Sequence, residues 1–237
     1  MSEGANRILM KKTALASILM VFGISLFFSS AGAYPVSVGD FIYVNSSGPL
    51  GGGGEIEVVD KTNGFVFQSF CLERHEIVLQ GSDKPYLVYD ISGYAMSGGG
   101  GAVGGKDELS GATKWLYYNY WTGTLAKDYG YDGVGSKTGQ GALQLAIWYL
   151  EGETDNLVEK DGDRKKWDGR NFYDLAMTHS KEGETLPVMA MNIQGPYETG
   201  AKVEEGQSML VVVTPEPWTI LLLGTGLIGL AALRRKQ

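Results

Sequence analysis

Two side chains in this sequence are of types that can react with each other, the thiol of Cys71 and the amide of Gln144. Cys71 is the single cysteine, so it can neither close an intramolecular disulfide nor build a thiolate metal site alone. Gln144 precedes Ile147 and Trp148 on the apolar stripe of a predicted helix. An unpaired buried amide costs about 1–3 kcal/mol, so Gln144 must be hydrogen bonded or chemically changed. Condensation with a thiol is such a change.

A strand and a helix must position these two residues. In the run 65–72, Cys71 alternates in phase with Phe65 and Phe67, so we expect the thiol to point into a mostly apolar interior. The helix of Gln144 is one of three predicted by apolar periodicity, which are 111–120, 140–150 and 171–180. Short β-branched and aromatic runs between turn residues predict six strands, which are 40–45, 55–60, 65–72, 86–91, 186–193 and 208–213.

The order of these elements along the chain is β, then α, then β. This order predicts a single α+β domain, in which an antiparallel β-sandwich or barrel-like sheet carries a helical insertion. The net charge of −7 repels nucleic acid, so we expect no nucleic-acid partner. With only two histidines, a three-imidazole zinc site is excluded, and we expect no metal and no cofactor.

The residues around the thiol and the amide resemble a known family. Phe70-Cys71 on a strand, followed far downstream by the helical sequence LQLAIW at 143–148, resembles the thioester domain of bacterial surface adhesins. Trp115 and the aromatic segment 115–121 between the two motifs are also in the style of that family. The resemblance covers roughly residues 65–151 and implies an internal thioester, made without a cofactor when the Cys71 sulfur attacks the Gln144 carbonyl and expels ammonia.

A thioester of this kind implies a single-use chemical anchor and not an enzyme. A Lys amine or a hydroxyl on a target surface attacks the Gln144 carbonyl, which releases the Cys71 thiol and leaves a covalent amide or ester. The adhesins of this family carry the domain on long stalks, whereas a single domain is predicted here. We therefore expect attachment to matrix, neighbouring cells or surface polymers.

Further residues are expected to assist the thioester. Phe70, Trp148 and Trp115 would shield it from bulk water. His75 would lie on the face of the thiol if the strand continued, and its imidazole is a candidate base. The glycine-rich loop 98–105 is a candidate gate for the nucleophile.

The N-terminus has the composition of a secretory signal peptide. Two lysines precede an apolar run that ends in a small-residue cleavage sequence at Ala33. We therefore expect residues 1–33 to be removed, with Met1 or Met10 as the start, and residues 34–213 to form the exported domain.

The C-terminus combines Pro215, Glu216 and Pro217 with the short apolar run 218–233 and a basic tail. This layout closely resembles the PEP-CTERM sorting signal of exopolysaccharide-producing Gram-negative bacteria, over residues 214–237. The resemblance implies an exosortase as processing partner and transient anchoring in the inner membrane by a short transmembrane helix. Delivery to the cell envelope, outer surface or extracellular matrix would follow. The alternative is an ordinary membrane anchor.

Two other function classes remain open. The protein can be a non-covalent exopolysaccharide-binding or structural matrix protein, in which an aromatic cluster stacks on sugar rings; this cluster is Tyr117, Tyr118, Tyr120 and Trp121. A helix packed in the core explains the same cluster equally well. An exported hydrolase would need paired carboxylates, and no spacing selects a pair. The charged loop 161–168 is a weak Ca²⁺ candidate because its spacing fails the EF-hand pattern.

Overall fold

The structure, a computed structural model, describes residues 35–46, 54–76, 78, 81, 83–96, 104–133, 138–181, 184–196 and 205–213. All of them belong to the unit Tyr34–Thr214. The predicted signal peptide, the predicted sorting signal and most of the predicted gate loop lie outside the described residues. Within the described residues, no helix has the length and apolar character needed to cross a membrane.

Ten strands and four helices follow one another along the described residues. The strands are β1 (Phe41–Ser46), β2 (Ile56–Asp60), β3 (Val66–Ser69), β4 (Tyr86–Ser92), β5 (Tyr94–Met96), β6 (Lys106–Glu108), β7 (Val158–Asp161), β8 (Arg164–Asp168), β9 (Val188–Gln194) and β10 (Glu205–Val212). The helices are α1 (Gly111–Trp121), α2 (Thr124–Tyr129), α3 (Gln140–Leu150) and α4 (Arg170–His179). All four helices lie between β6 and β9 along the chain, and the β7–β8 hairpin lies in the same interval. The predicted α+β class with a helical insertion is therefore confirmed.

Six strands form one antiparallel sheet in the order β10-β9-β4-β1-β2-β3. Its two edge strands meet just beyond the end of β3. There the Leu72 N–H donates to the Ser208 carbonyl at 2.9 Å, and the Leu210 N–H donates to the Phe70 carbonyl at 3.1 Å. These bonds join the two edge strands at one residue pair, Cys71 and Met209, and the predicted antiparallel sheet is confirmed.

The strands divide their apolar side chains between two clusters. Because successive strand residues point to opposite faces, Met209 and Val211 join one cluster while Leu210 and Val212 join the other. We call the first the inner cluster; its other sheet residues include Ile42, Val44, Ile56, Val58, Phe67, Tyr86, Val88 and Ile193. We call the second the helix-side cluster, which packs the sheet against α1, α3 and α4.

Helix α3 is apolar nearly all round, and its residues 140–148 are all buried. Its Leu143 packs in the helix-side cluster, whereas its Leu145 packs in the inner cluster. Close approach to the β8 strand depends on Gly141, because a Cβ there would lie 2.1 Å from the Trp167 indole nitrogen. The helix therefore lies where the two clusters meet, with its side chains divided between them.

Three elements were not predicted from the sequence, namely α2 and the hairpins β5–β6 and β7–β8. Both hairpins contain charged strands, KDE and RKKWD, which lack the apolar alternation typical of a half-buried strand. Hairpin β7–β8 spans the charged loop 161–168, and its Asp168 binds the Arg170 guanidinium at 2.6 and 2.8 Å. Among the described residues, no three or more His, Cys, Asp or Glu side chains form a group that could hold a metal ion.

Candidate functional site

Cys71 lies just past the end of β3, where only one side of the chain has a strand neighbour. It forms an isolated antiparallel bridge with Met209 of β10. On the other side, β2 pairs with β3 only as far as the Ile56–Ser69 pair. The main-chain N–H and C=O of Cys71 that face away from β10 therefore need a partner that no strand supplies.

Gln144 of α3 supplies that partner. Its Oε1 accepts the Cys71 N–H at 3.0 Å, and its Nε2 donates to the Cys71 carbonyl at 2.7 Å. The side chain is fully buried, and both amide polar groups are satisfied by the same residue. The structure thus brings the two predicted residues together, but the amide of Gln144 binds the main chain of Cys71 in the manner of a neighbouring strand.

The contact with the thiol is made by Gln207 of β10, which sequence reasoning missed. The Cys71 Sγ donates to the Gln207 Oε1 at 2.8 Å. The Gln207 Nε2 donates to the main-chain carbonyl of Glu73. Because a carbonyl can only accept, this bond fixes which end of the amide faces the sulfur. Cys71 and Gln207 are 5% and 2% exposed, so the contact is shielded from bulk water.

A β-bulge directs Gln207 toward the thiol. The pairing of β10 with β9 shifts register between Glu205 and Ser208, the segment that contains Gln207. Gly206 lies within the bulge, and a Cβ there would lie 2.9 Å from the Ile193 carbonyl oxygen. Bulges bend a strand and re-aim its side chains, often beside functional sites. A glycine followed by a polar residue at the start of an apolar strand was the one sequence feature that marked this position.

Burial controls the protonation of this site. Burial, and next the nearby charge of Glu73, raise the pKa of the Cys71 thiol well above its ordinary value. Glu73 is only 2% exposed, and burial, followed by the hydrogen bond and charge of Glu76, raises its carboxyl pKa to about 9. The thiol therefore carries a proton at neutral pH, and the Glu73 carboxyl holds its proton to a higher pH than an exposed carboxyl does.

Of the three aromatic residues predicted to shield the thiol, one lies in its cluster. Trp148 packs with Cys71 in the inner cluster, and the Arg74 guanidinium lies 5.5 Å from the centre of its ring. Phe70 and Trp115 belong to the helix-side cluster instead. Phe70 precedes Cys71 directly in an extended segment, so its side chain points to the opposite face.

His75 does not lie on a continued strand. The chain bends at Leu72 and again over 74–76, and His75 is exposed. The predicted role of His75 as a base depended on extension of β3 as far as His75. The strand does not extend that far, so this condition is not met.

The aromatic cluster of α1 is packed against the core. Tyr117 is fully buried, and its hydroxyl donates to the Gln68 carbonyl at 2.9 Å. Tyr118, Tyr120 and Trp121 are half-buried and pack against buried residues. This arrangement favours the interpretation of the cluster as a core helix over that of a sugar-stacking face.

Residues 213–236 match the family model of the PEP-CTERM protein-sorting motif. The match confirms the predicted sorting signal, including Pro215, Glu216 and Pro217. No curated protein and no solved structure matches the chain. The motif implies that the protein is exported and undergoes membrane-associated sorting in the cell envelope, with an exosortase as its processing partner.

Proposed function

We propose that this exported protein forms an internal thioester between Cys71 and Gln207 and uses it to attach covalently to a surface. The observation that carries the proposal is the 2.8 Å contact between the Cys71 Sγ and the Gln207 Oε1. The carbonyl carbon that the sulfur must reach is directly bonded to that Oε1.

The condensation balances without a cofactor. The Cys71 sulfur attacks the side-chain carbonyl carbon of Gln207, a C–S bond forms and the C–N bond breaks. The nitrogen leaves with its two hydrogens and the thiol proton, as ammonia. The product is a γ-glutamyl thioester in a site that water enters poorly, which favours its survival.

Gln207 suits this reaction better than Gln144. Both polar groups of the Gln144 amide are engaged by the main chain of Cys71. Loss of the nitrogen would leave a buried main-chain carbonyl without its donor in either case, that of Cys71 for Gln144 and that of Glu73 for Gln207. The choice therefore rests on the contact of the Cys71 sulfur with Gln207. We therefore assign Gln144 the role of holding Cys71 in place and Gln207 the role of acyl donor.

The finished thioester reacts once. An amine or hydroxyl on the target attacks the Gln207 carbonyl, its proton passes to the departing sulfur, and an amide or ester remains at residue 207. Sorting to the cell envelope would place the bond where matrix, neighbouring cells or surface polymers can reach it. The proposed biological role is adhesion or association with exopolysaccharide.

Methylamine trapping in the full-length chain tests the proposal. The wild type is expected to lack about 17 Da, the mass of ammonia, and to gain a methylamide at residue 207 after treatment. Its Cys71 should resist alkylation until the thioester opens. Cys71→Ala and Gln207→Glu should show no deficit and no adduct.

Gln144→Glu separates the two candidate acyl donors. If Gln207 reacts, the folded Gln144→Glu chain keeps a deficit, and methylamine labels residue 207. A deficit that survives in Gln207→Glu but disappears in Gln144→Glu would instead establish Gln144 as the donor. If the wild type has its full mass and its thiol is freely alkylated after denaturation, the covalent proposal is overturned.

A further inference from the structure

A short segment that follows Cys71 lies against the reactive amide. We call residues 73–76 the strap; the chain bends at Leu72 before it and again over 74–76. The main-chain carbonyl of Glu73 accepts a hydrogen bond from the Gln207 Nε2, the nitrogen that would leave. The Glu73 Oε2 accepts the main-chain N–H of Ser208 at 3.1 Å. The strap is therefore fastened to the bulged segment of β10 and helps to bury the Gln207 amide.

Arg74 fastens the other side of the strap to the chain that follows α3. Its main-chain N–H donates to the Glu153 Oε2 at 3.1 Å. Its guanidinium donates to the Thr154 hydroxyl at 2.9 Å and lies 3.8 Å from the Glu159 carboxylate. The same group lies 5.5 Å from the centre of the Trp148 ring, which packs in the inner cluster with the thiol. Arg74 thus lies at the surface, at the outer end of the contacts that shield the site.

The proposed condensation removes one of these fastenings. The Gln207 nitrogen leaves as ammonia, with its two hydrogens and the thiol proton, and the thioester has no N–H to donate. The Glu73 carbonyl then lacks its donor in a site that is closed to water, which is unfavourable. Movement of the strap toward solvent hydrates this carbonyl. Formation of the bond therefore shifts the strap toward an open arrangement.

We propose that the strap is the gate of the thioester site, that departure of the Gln207 nitrogen unlocks it, and that Arg74 then limits how often it opens. The closed strap shields the amide during condensation, and brief opening afterwards admits the amine or hydroxyl of the target. This inference rests on the proposed Cys71–Gln207 thioester. The candidate gate loop 98–105 lies mostly outside the described residues, whereas the strap contacts the reactive residue itself.

Hydrogen–deuterium exchange of the full-length chain in mild detergent tests the unlocking. Fragment-resolved mass spectrometry follows the Arg74 N–H, which the closed strap protects through Glu153. We expect this N–H to exchange roughly fivefold faster in the wild type than in Cys71→Ala, the factor that loss of one hydrogen bond gives. Cys71→Ala keeps the Gln207 amide and cannot condense. Gln207→Met, which lacks the donor and forms no thioester, should exchange as fast as the wild type, while the N–H of Leu116 in α1 should not change.

The rate of methylamine trapping tests the role of Arg74. Arg74→Ala removes the contacts with Thr154, Glu159 and Trp148, so methylamide formation at residue 207 should be roughly tenfold faster than in the wild type. Hydrolysis of the thioester should also be faster, because water enters by the same route. Arg170→Ala is the control for loss of an arginine, since its guanidinium binds Asp168 outside the strap.

The possible failures are distinguishable. A wild type without a mass deficit overturns the thioester proposal and this inference together. If the bond forms but the Arg74 N–H exchanges as slowly as in Cys71→Ala, the unlocking is overturned and the thioester stands. An Arg74→Ala chain that is folded and reacts with methylamine at the wild-type rate overturns the gating role of Arg74. If that variant does not fold, the exchange rates of the wild type, Cys71→Ala and Gln207→Met decide the matter.

Discussion

The side-chain amide of Gln144 pairs with the main chain of Cys71 through one donated and one accepted hydrogen bond, at 2.7 and 3.0 Å. The two residues are 73 positions apart in the chain, and Gln144 is fully buried. A helix side chain thus takes the place of a strand partner at the point where β2 no longer pairs with the extension of β3. This pairing fixes the main chain that carries the thiol.

Gln144→Ala should destabilise the fold by about 2–5 kcal/mol, because it leaves two buried main-chain groups of Cys71 unpaired and opens space in the core. Gln144→Glu keeps the acceptor for the Cys71 N–H, but its ionised form cannot donate to the carbonyl. Its stability should therefore be closer to that of the wild type at pH 5 than at pH 8. Urea unfolding at both pH values measures this, and a wild-type midpoint for Gln144→Ala would contradict the assigned role.

Gly141→Ala should destabilise the protein by about 1–3 kcal/mol despite the higher helix propensity of alanine. The new Cβ would lie 2.1 Å from the Trp167 indole nitrogen, so β8 must move away from α3. Gly111→Ala in α1 is the matched control, since nothing lies within 4 Å of its Cβ position. Thermal unfolding should show a lower Tm for Gly141→Ala and an equal or higher Tm for the control.

Glu73 should make the protein less stable as the pH rises from about 4.5 to about 9. In this interval the folded state keeps a proton that the unfolded state has released, so the free energy of unfolding falls with increasing pH. Glu73→Gln should remove most of this slope, which amounts to an effect on the order of a few kcal/mol. Urea unfolding at pH 5, 7 and 9 measures it, with the exposed Glu184→Gln as a control that keeps the slope.

Asn192→Ala should destabilise the sheet by about 2–4 kcal/mol, through buried groups left without a partner. The Asn192 Oδ1 accepts the Met96 N–H at 3.0 Å and the Ser208 hydroxyl at 2.6 Å, which ties β5 and β10 to β9. The exposed Asn171→Ala is the control for loss of an asparagine side chain. A chemical-denaturation midpoint that is equal for the two variants would show that this network contributes little.

Local patterns in the sequence were sufficient for most of the fold. Short β-branched and aromatic runs between turn residues predicted the six strands of the main sheet, and apolar periodicity predicted α1, α3 and α4. Both kinds of pattern arise because an element buries one of its faces, and the types of neighbouring residues in the sequence show which face that is. The hairpins β5–β6 and β7–β8 were missed because their short or charged strands lack the alternation typical of a half-buried strand, although Ala95 and Trp167 are buried.

The contacts within the candidate site could not be predicted from such patterns. The sequence by itself determined that Cys71 and Gln144 are buried, since each lies in phase with apolar neighbours, and the C-terminal motif identified an exported protein. Only the tertiary structure decided that Gln144 binds the Cys71 main chain while Gln207 meets the thiol. That choice depends on the pairing of the β3 extension with β10, a contact spanning 136 positions between Cys71 and Gln207, and on a bulge at Gly206. Strand pairing over such a distance depends on the arrangement of the whole sheet, and no local sequence window contains it.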